Sequence, residues 1–262
     1  MTARLPPELF REVVGHYTKA DDLEALQVIS LVSPIFREPC QEIIFSDILV
    51  HKQRFHRNRT AHHLAGLDIL RRNPSLIGHI KELTVHQSKG GPILWDYGAM
   101  EPCFGELLCL LASAPIQGFT YVGWEGTTSP EFQDGIIALV RSPTLTCLNL
   151  RFIPAGLVKM VKSSSIQSLT LTDLEEYSMR PPNNQLFPRP FPSSSGIRAM
   201  RPTSLTLAPD SAIIHALTSS IDMTATKELT LTDHAYAHKG IECLLAACGA
   251  PFLRTLRLDL DG

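Results

Sequence analysis

The chain has 262 residues, 44% of them hydrophobic and 19% charged, with a formal net charge of −2 at pH 7. That length holds one large domain, or a small domain beside a larger one. The near-balanced charge provides no global field to recruit nucleic acid or a membrane surface.

No segment approaches the ~20 apolar residues of a membrane helix; the richest run, "LLCLLASAP", is about half that. The first fifteen residues already carry Arg4, Glu8, Arg11 and Glu12, unlike a secretory leader, so a cytoplasmic or nuclear location is expected. Cys40, Cys103, Cys109, Cys147, Cys243 and Cys248 form no CxxC pair and no disulfide rhythm, and read as reduced core residues of an intracellular protein.

In chain order, residues 1–50 read as three short helices. Pro6 and Pro7 have φ preset for a helix start, where the first N–H groups lack intrahelical partners anyway. Glu8 follows in the first turn, where the helix dipole favours an acid. Leu9, Phe10, Val13, Val14 and Tyr17 recur at helical spacing, and Leu5 is placed to staple onto Phe10. Asp21 or Asp22 is positioned to cap a second helix carrying Leu23, Leu26 and Ile29. A third runs from about Ile35 to Phe45. Three such helices bury little alone, so they pack on the rest of the chain or await a partner.

From residue 46 the rhythm changes. Strand-like pieces, "SDILVH", "IKELTVH", "GFTYVGW", "LTCLNLRF", "IQSLTLTD", "TSLTLAP", "KELTLTD" and "RTLRLDL", alternate with helical ones, the order expected of parallel strands joined by crossovers. The pattern L-x-L recurs at Leu148/Leu150, Leu169/Leu171, Leu205/Leu207, Leu229/Leu231 and Leu256/Leu258, with Leu83/Val85 as a variant. Its spacing, about 21 to 36 residues, is near that of leucine-rich repeats but irregular. Alternation turns both leucines inward and leaves Thr, Asn and Arg outside. A doubly wound sheet, buried on both faces, has near-continuous Val/Ile strands instead. The expectation is therefore an α/β chain in which residues 51–262 form an irregular solenoid with a curved parallel sheet.

Two stretches depart from the rhythm. Residues 178–203, with six prolines, read as an inserted loop. Residues 51–72 hold Lys52, Arg54, Arg57, Arg59, Arg71 and Arg72 against Asp68 alone, which suits a solvated face or an acidic partner. The sequence stops directly after a strand, so its last edge needs a cover, from further sequence or from a partner.

The opening "LPPELFREVVGHYTKADDLEALQVISLVSPIFREPCQEIIFSDILV" resembles an F-box of the form common in fungal F-box-like proteins. Matching positions are Leu5, Pro6, Glu8, Leu9, Val13, Val14, Asp22, Leu23, the stretch "VISLVSPIF", and Ile44-Phe45. Phe36 stands where the family often has tryptophan, and "HYTKADD" is longer and more polar than the usual turn. The rest resembles the leucine-rich-repeat-like solenoids that follow F-boxes in such proteins. The resemblance implies a substrate receptor joining a protein target to a cullin–RING (SCF) ubiquitin ligase through a SKP-type adaptor. It implies adaptor contacts among Leu5, Pro6, Leu9, Phe10, Val13, Leu31, Val32 and Phe36, some of which must instead form the helices' own core. A scaffold binding no ligase, with the helices only capping the first repeat, is the alternative.

Signs of catalysis are weak. His234 and His238 in "HAYAH" have the i, i+4 spacing of a zinc pair but lack the following Glu and an obvious third ligand. There is no G-x-S-x-G and no G-x-x-x-x-G-K-[ST], and "SKGGP" reads as a turn. The expectation is a non-catalytic chain with no metal or cofactor; a small-molecule enzyme on a doubly wound sheet is the competing class. Target contacts are expected on the outward strand face, at Trp124, Asn149, Arg151, Thr170, Thr172, Thr230 and Arg257, where Trp and Arg are the residue types enriched at hot spots.

Overall fold

The computed structural model describes residues 7–52, 60–87, 101–123, 130–151, 155–158, 161, 165–172, 200–208, 221–232 and 253–259. Leu5, Pro6, Trp124, the histidines at 234 and 238, most of the 178–203 stretch, the helical run "GIECLLAACGA" and all of "DSAIIHALTSSI" but Ile221 lie outside them.

Three helices come first: α1 (Pro7–Val14), α2 (Lys19–Val32) and α3 (Pro34–Ile44). Pro7 and Pro34 occupy first-turn positions, as their fixed φ suits. The cap of α2 is Thr18 rather than Asp21 or Asp22. Its hydroxyl accepts from the Asp21 N–H at 3.2 Å, and Asp22 reaches back to accept from the Thr18 N–H at 2.9 Å. That reciprocal arrangement resembles a capping box, one residue longer on the return bond. Asp22 itself has non-helical φ/ψ (−120°, 19°), so the helix is kinked there.

Eight strands follow: β1 (Asp47–Lys52), β2 (Glu82–Gln87), β3 (Gly118–Val122), β4 (Cys147–Arg151), β5 (Ser168–Thr172), β6 (Ser204–Leu207), β7 (Glu228–Thr232) and β8 (Thr255–Asp259). They form one curved, open, all-parallel sheet in strict chain order. No point in it reverses strand order, so the switch-point crevice of a doubly wound fold is absent among the described strands. Between strands lie α4 (Thr60–Arg72), α5 (Glu101–Leu111), α6 (Pro130–Val140) and the short α7 (Ala155–Val158). The architecture is α/β and solenoid-like.

Register is kept across all seven pairings. Ile48, Leu83, Phe119, Leu148, Leu169, Leu205, Leu229 and Leu256 form one row. Val50, Val85, Tyr121, Leu150, Leu171, Leu207, Leu231 and Leu258 form a second, two residues on. Through β2–β7 both rows are buried. A third apolar row precedes them by three residues: Phe45, Ile80, Ile116, Leu145, Ile166, Pro202, Thr226 and Leu253. The repeat is therefore Φ-x-x-L-x-L, where Φ is usually apolar. Its one hydroxylic member, Thr226, is fully buried and donates to the Pro202 carbonyl of the preceding turn at 3.2 Å.

The residue after Φ carries the backbone step between turns. Two consecutive N–H groups donate to one carbonyl of the turn before. Lys81 and Glu82 share Ser46 O, and Gln117 and Gly118 share Lys81 O; Gln117, Thr146, Gln167, Thr203 and Lys227 accept in the same way, at 2.7–3.1 Å throughout. This fixes where each strand begins, however long the helix-bearing connection was, so repeats of unequal length still stack in register.

Helices α5 and α6 pack closely where glycines remove side chains. A Cβ on Gly105 would lie 2.5 Å from the Glu131 backbone, and one on Gly135 would lie 2.6 Å from the Leu108 Cβ. Phe104 and Phe132 stack beside this crossing with ring centroids 5.3 Å apart.

Of the described cysteines, Cys40 is buried as expected, but Cys109 and Cys147 are exposed. Cys147 occupies an outward strand position, where alternation overrides its apolar character.

Candidate functional site

Two surfaces stand out. The first is the helical trio. Its own core is small: Val14, Leu26 and Cys40 are fully buried, with Tyr17, Ile29, Phe36, Ile43 and Ile44 packed around them. Burial pushes the Cys40 thiol pKa up. Phe10 and Phe36 meet edge to face, centroids 5.0 Å apart. These two, expected at the adaptor surface, are half-buried and contribute to the trio's own packing. Leu9, Val13, Leu31 and Val32 face outward: Val13 is 53% exposed, Leu31 80% and Val32 77%. Leu23, Val28 and Ile35, which the sequence did not single out for contact, are exposed with them.

Seven of the eleven large exposed apolar residues among those described thus fall between Leu9 and Ile35. Single exposed leucines are ordinary; seven within one short run of helices make the trio a candidate interaction surface. Charged pairs accompany it. Arg11 of α1 reaches Glu42 and Glu38 of α3 at 3.3 and 3.7 Å, and Lys19 of α2 meets Asp47 of β1 at 2.7 Å. All are at least partly exposed and orient helices more than they stabilise them.

The trio is also joined to the sheet. Phe45 and Ile48 pack on the main core, and α3 contacts the 3₁₀ segment Pro74–His79.

The second surface is the outward face of the sheet. One outward row reads Leu49, Thr84, Thr120, Asn149, Thr170, Thr206, Thr230 and Arg257. Another contains His86, Val122, Arg151 and Thr172, and resumes at Thr232. The fold brings Asn149 beside Thr170, Arg151 beside Thr172, and Thr230 beside Arg257. Asn149 and the threonines are half-buried, Arg151 and Arg257 exposed. The face is hydroxyl-rich and sparsely charged in its middle, with arginines at separated positions.

Titratable groups elsewhere are tied into structure. Glu82 lies beside Asp47 in the β1–β2 register; burial first, and then repulsion from Asp47, raise its carboxyl pKa. Asp222 is held below the usual carboxylate range by hydrogen bonds from the Thr224 hydroxyl and from Arg201. In the basic stretch, Arg71 pairs with Glu106 and Arg72 with Asp68. Among the described residues no group of three or more His, Cys, Asp or Glu is placed to hold a metal ion, and no helix is long and apolar enough to cross a membrane.

Compared with models of known protein families, the chain matches none, and compared with curated proteins it likewise gives no match.

Proposed function

We propose that the chain is an F-box-like substrate receptor of a cullin–RING ubiquitin ligase. In this reading α1–α3 dock on a SKP-type adaptor, and the outward face of a leucine-rich-repeat-like sheet holds a protein target. The observation that carries it is the exposure of Leu9 and Val13 on α1 and of Leu31 and Val32 on α2, in a trio whose own core is small. It coincides with the stretch whose sequence resembles an F-box. Phe10 and Phe36 then act from beneath, fixing the angle between α1 and α3.

The scaffold alternative draws on a different observation. Phe45, Ile48 and the contact of α3 with Pro74–His79 tie the trio to the first repeat, as a cap requires. A trio can cap with one face and bind with another, so the decision rests on binding. Co-purification with a SKP-type adaptor tests it. The native chain retains the adaptor, and Leu9→Asp/Val13→Asp loses it while keeping its helical signal. No retention by the native chain, or equal retention by the variant, sinks the ligase reading and leaves the scaffold.

A further inference from the structure

We propose that Ser33 is a phosphorylation site for a proline-directed protein kinase, and that a phosphate there closes the exposed apolar surface of the trio to its partner. The second half rests on the reading of that surface as the adaptor contact. Ser33 joins α2 to α3, as the C-cap of one and the N-cap of the other. Its backbone is extended (φ −148°, ψ 135°), the conformation that a following proline favours. N-cap serines ordinarily bond the helix through the hydroxyl, but that of Ser33 makes no such bond, and the residue is partly exposed. Pro34 has no N–H, so the Ser30 carbonyl lacks the bond that would continue the last turn of α2. Leu31 and Val32 in that turn are already exposed, so opening it into a kinase cleft uncovers little further apolar surface. Ser142, which also precedes a proline, is buried, and its hydroxyl lies 3.0 Å from that of Thr144.

In the transfer, the Ser33 Oγ bonds to the γ-phosphorus of ATP. The bond from that phosphorus to the β,γ-bridging oxygen breaks, ADP departs with its electron pair, and the hydroxyl proton passes to the kinase's base. The phosphoserine carries about −1.5 to −2 charges at pH 7. The fold accepts this charge, because it sits at the N-terminus of α3, where the helix dipole favours an anion and the first turn holds no acid. The cost falls on the surface. Leu31 and Val32 directly precede the phosphate and Ile35 follows two residues later, all apolar and exposed. A partner that covers these three must also strip water from the phosphate among them, which an apolar contact does not repay.

The experiment treats the 262-residue chain with ATP and, in parallel, a cyclin-dependent and a mitogen-activated kinase, both proline-directed. Phosphopeptides are mapped by mass spectrometry, and affinity for a SKP-type adaptor is measured before and after. Phosphate is expected on Ser33 and not on Ser142. Pro34→Ala lowers incorporation at Ser33 by at least about tenfold. Phosphorylation weakens adaptor binding by at least about tenfold, with circular dichroism showing the fold retained. Ser33→Ala, carried through the same treatment, keeps whatever affinity it had before. No phosphate on Ser33 from either kinase, or incorporation indifferent to Pro34→Ala, overturns the assignment of the site. A phosphorylated chain that holds the adaptor as tightly as the untreated one overturns the closure. If the untreated chain binds no adaptor, the ligase reading and the closure fall together, while the mass spectrum still decides the site.

Discussion

The helical trio and the repeat sheet use the same apolar residue types and differ in what those residues meet. In the sheet, Leu83, Leu148, Leu169, Leu205 and Leu229 each have a counterpart one strand before and one strand after, and all are buried. In the trio, Leu26 is fully buried while Leu31, five residues further along the same helix, is 80% exposed. Stacking gives every internal repeat two neighbours, and an element at the start of the stack has neighbours on one side only. The sheet's leucines therefore account for stability, while the trio's outer leucines and valines contribute little to it and remain for something else to cover.

That contrast can be broken at graded cost. Leu150→Ala, at a fully buried position of the second row, is expected to cost about 2–5 kcal/mol in denaturant unfolding. A loss below about 1 kcal/mol would mean that the rows do not carry the fold. Gly105→Ala drives a methyl group into the Glu131 backbone and is expected to cost about 1–3 kcal/mol, seen as a lower melting temperature. An unchanged melting temperature would contradict the close α5–α6 crossing.

Thr226→Val keeps the shape of the third row but removes the donor to the Pro202 carbonyl, for about 1 kcal/mol. If the variant were more stable than the native chain, the hydroxyl would be a cost rather than a bond. Leu31→Asp/Val32→Asp, on the trio's exposed surface, is expected to change stability by no more than about 0.5 kcal/mol while abolishing adaptor binding. A large loss of stability would mean that these side chains belong to the core after all.

Much of this architecture can be read from the residues. All eight strands coincide with the strand-like pieces, because L-x-L alternation and the intervening helical runs are both strong local signals. The third row is harder to see. Pro202 and Thr226 interrupt its apolar character, and it becomes plain only when the turns are aligned through the carbonyl step. That step leaves only a faint trace, a polar residue after each Φ, since it is made by backbone that any non-proline residue supplies. The Gly105–Gly135 approach depends on two helices meeting, which no local pattern encodes.

In the trio the limit is different. α2 carries Leu23, Leu26, Val28, Ile29, Leu31 and Val32, apolar around much of its circumference, so periodicity does not choose the buried side. Only packing against α3 separates buried Leu26 from exposed Leu31. The outward sheet positions follow directly from alternation, whereas the choice of Asn149, Arg151 or Arg257 as contacts rests on residue type, and geometry adds only that they share a face.

The most direct test of the central claim is amide hydrogen exchange of the full chain with and without a SKP-type adaptor. The account predicts that protection rises in Pro7–Val14 and in the Val28–Val32 end of α2, and is unchanged in β2–β7. Absence of a complex, or protection that rises on the sheet while α1 and α2 stay as they were, would contradict it.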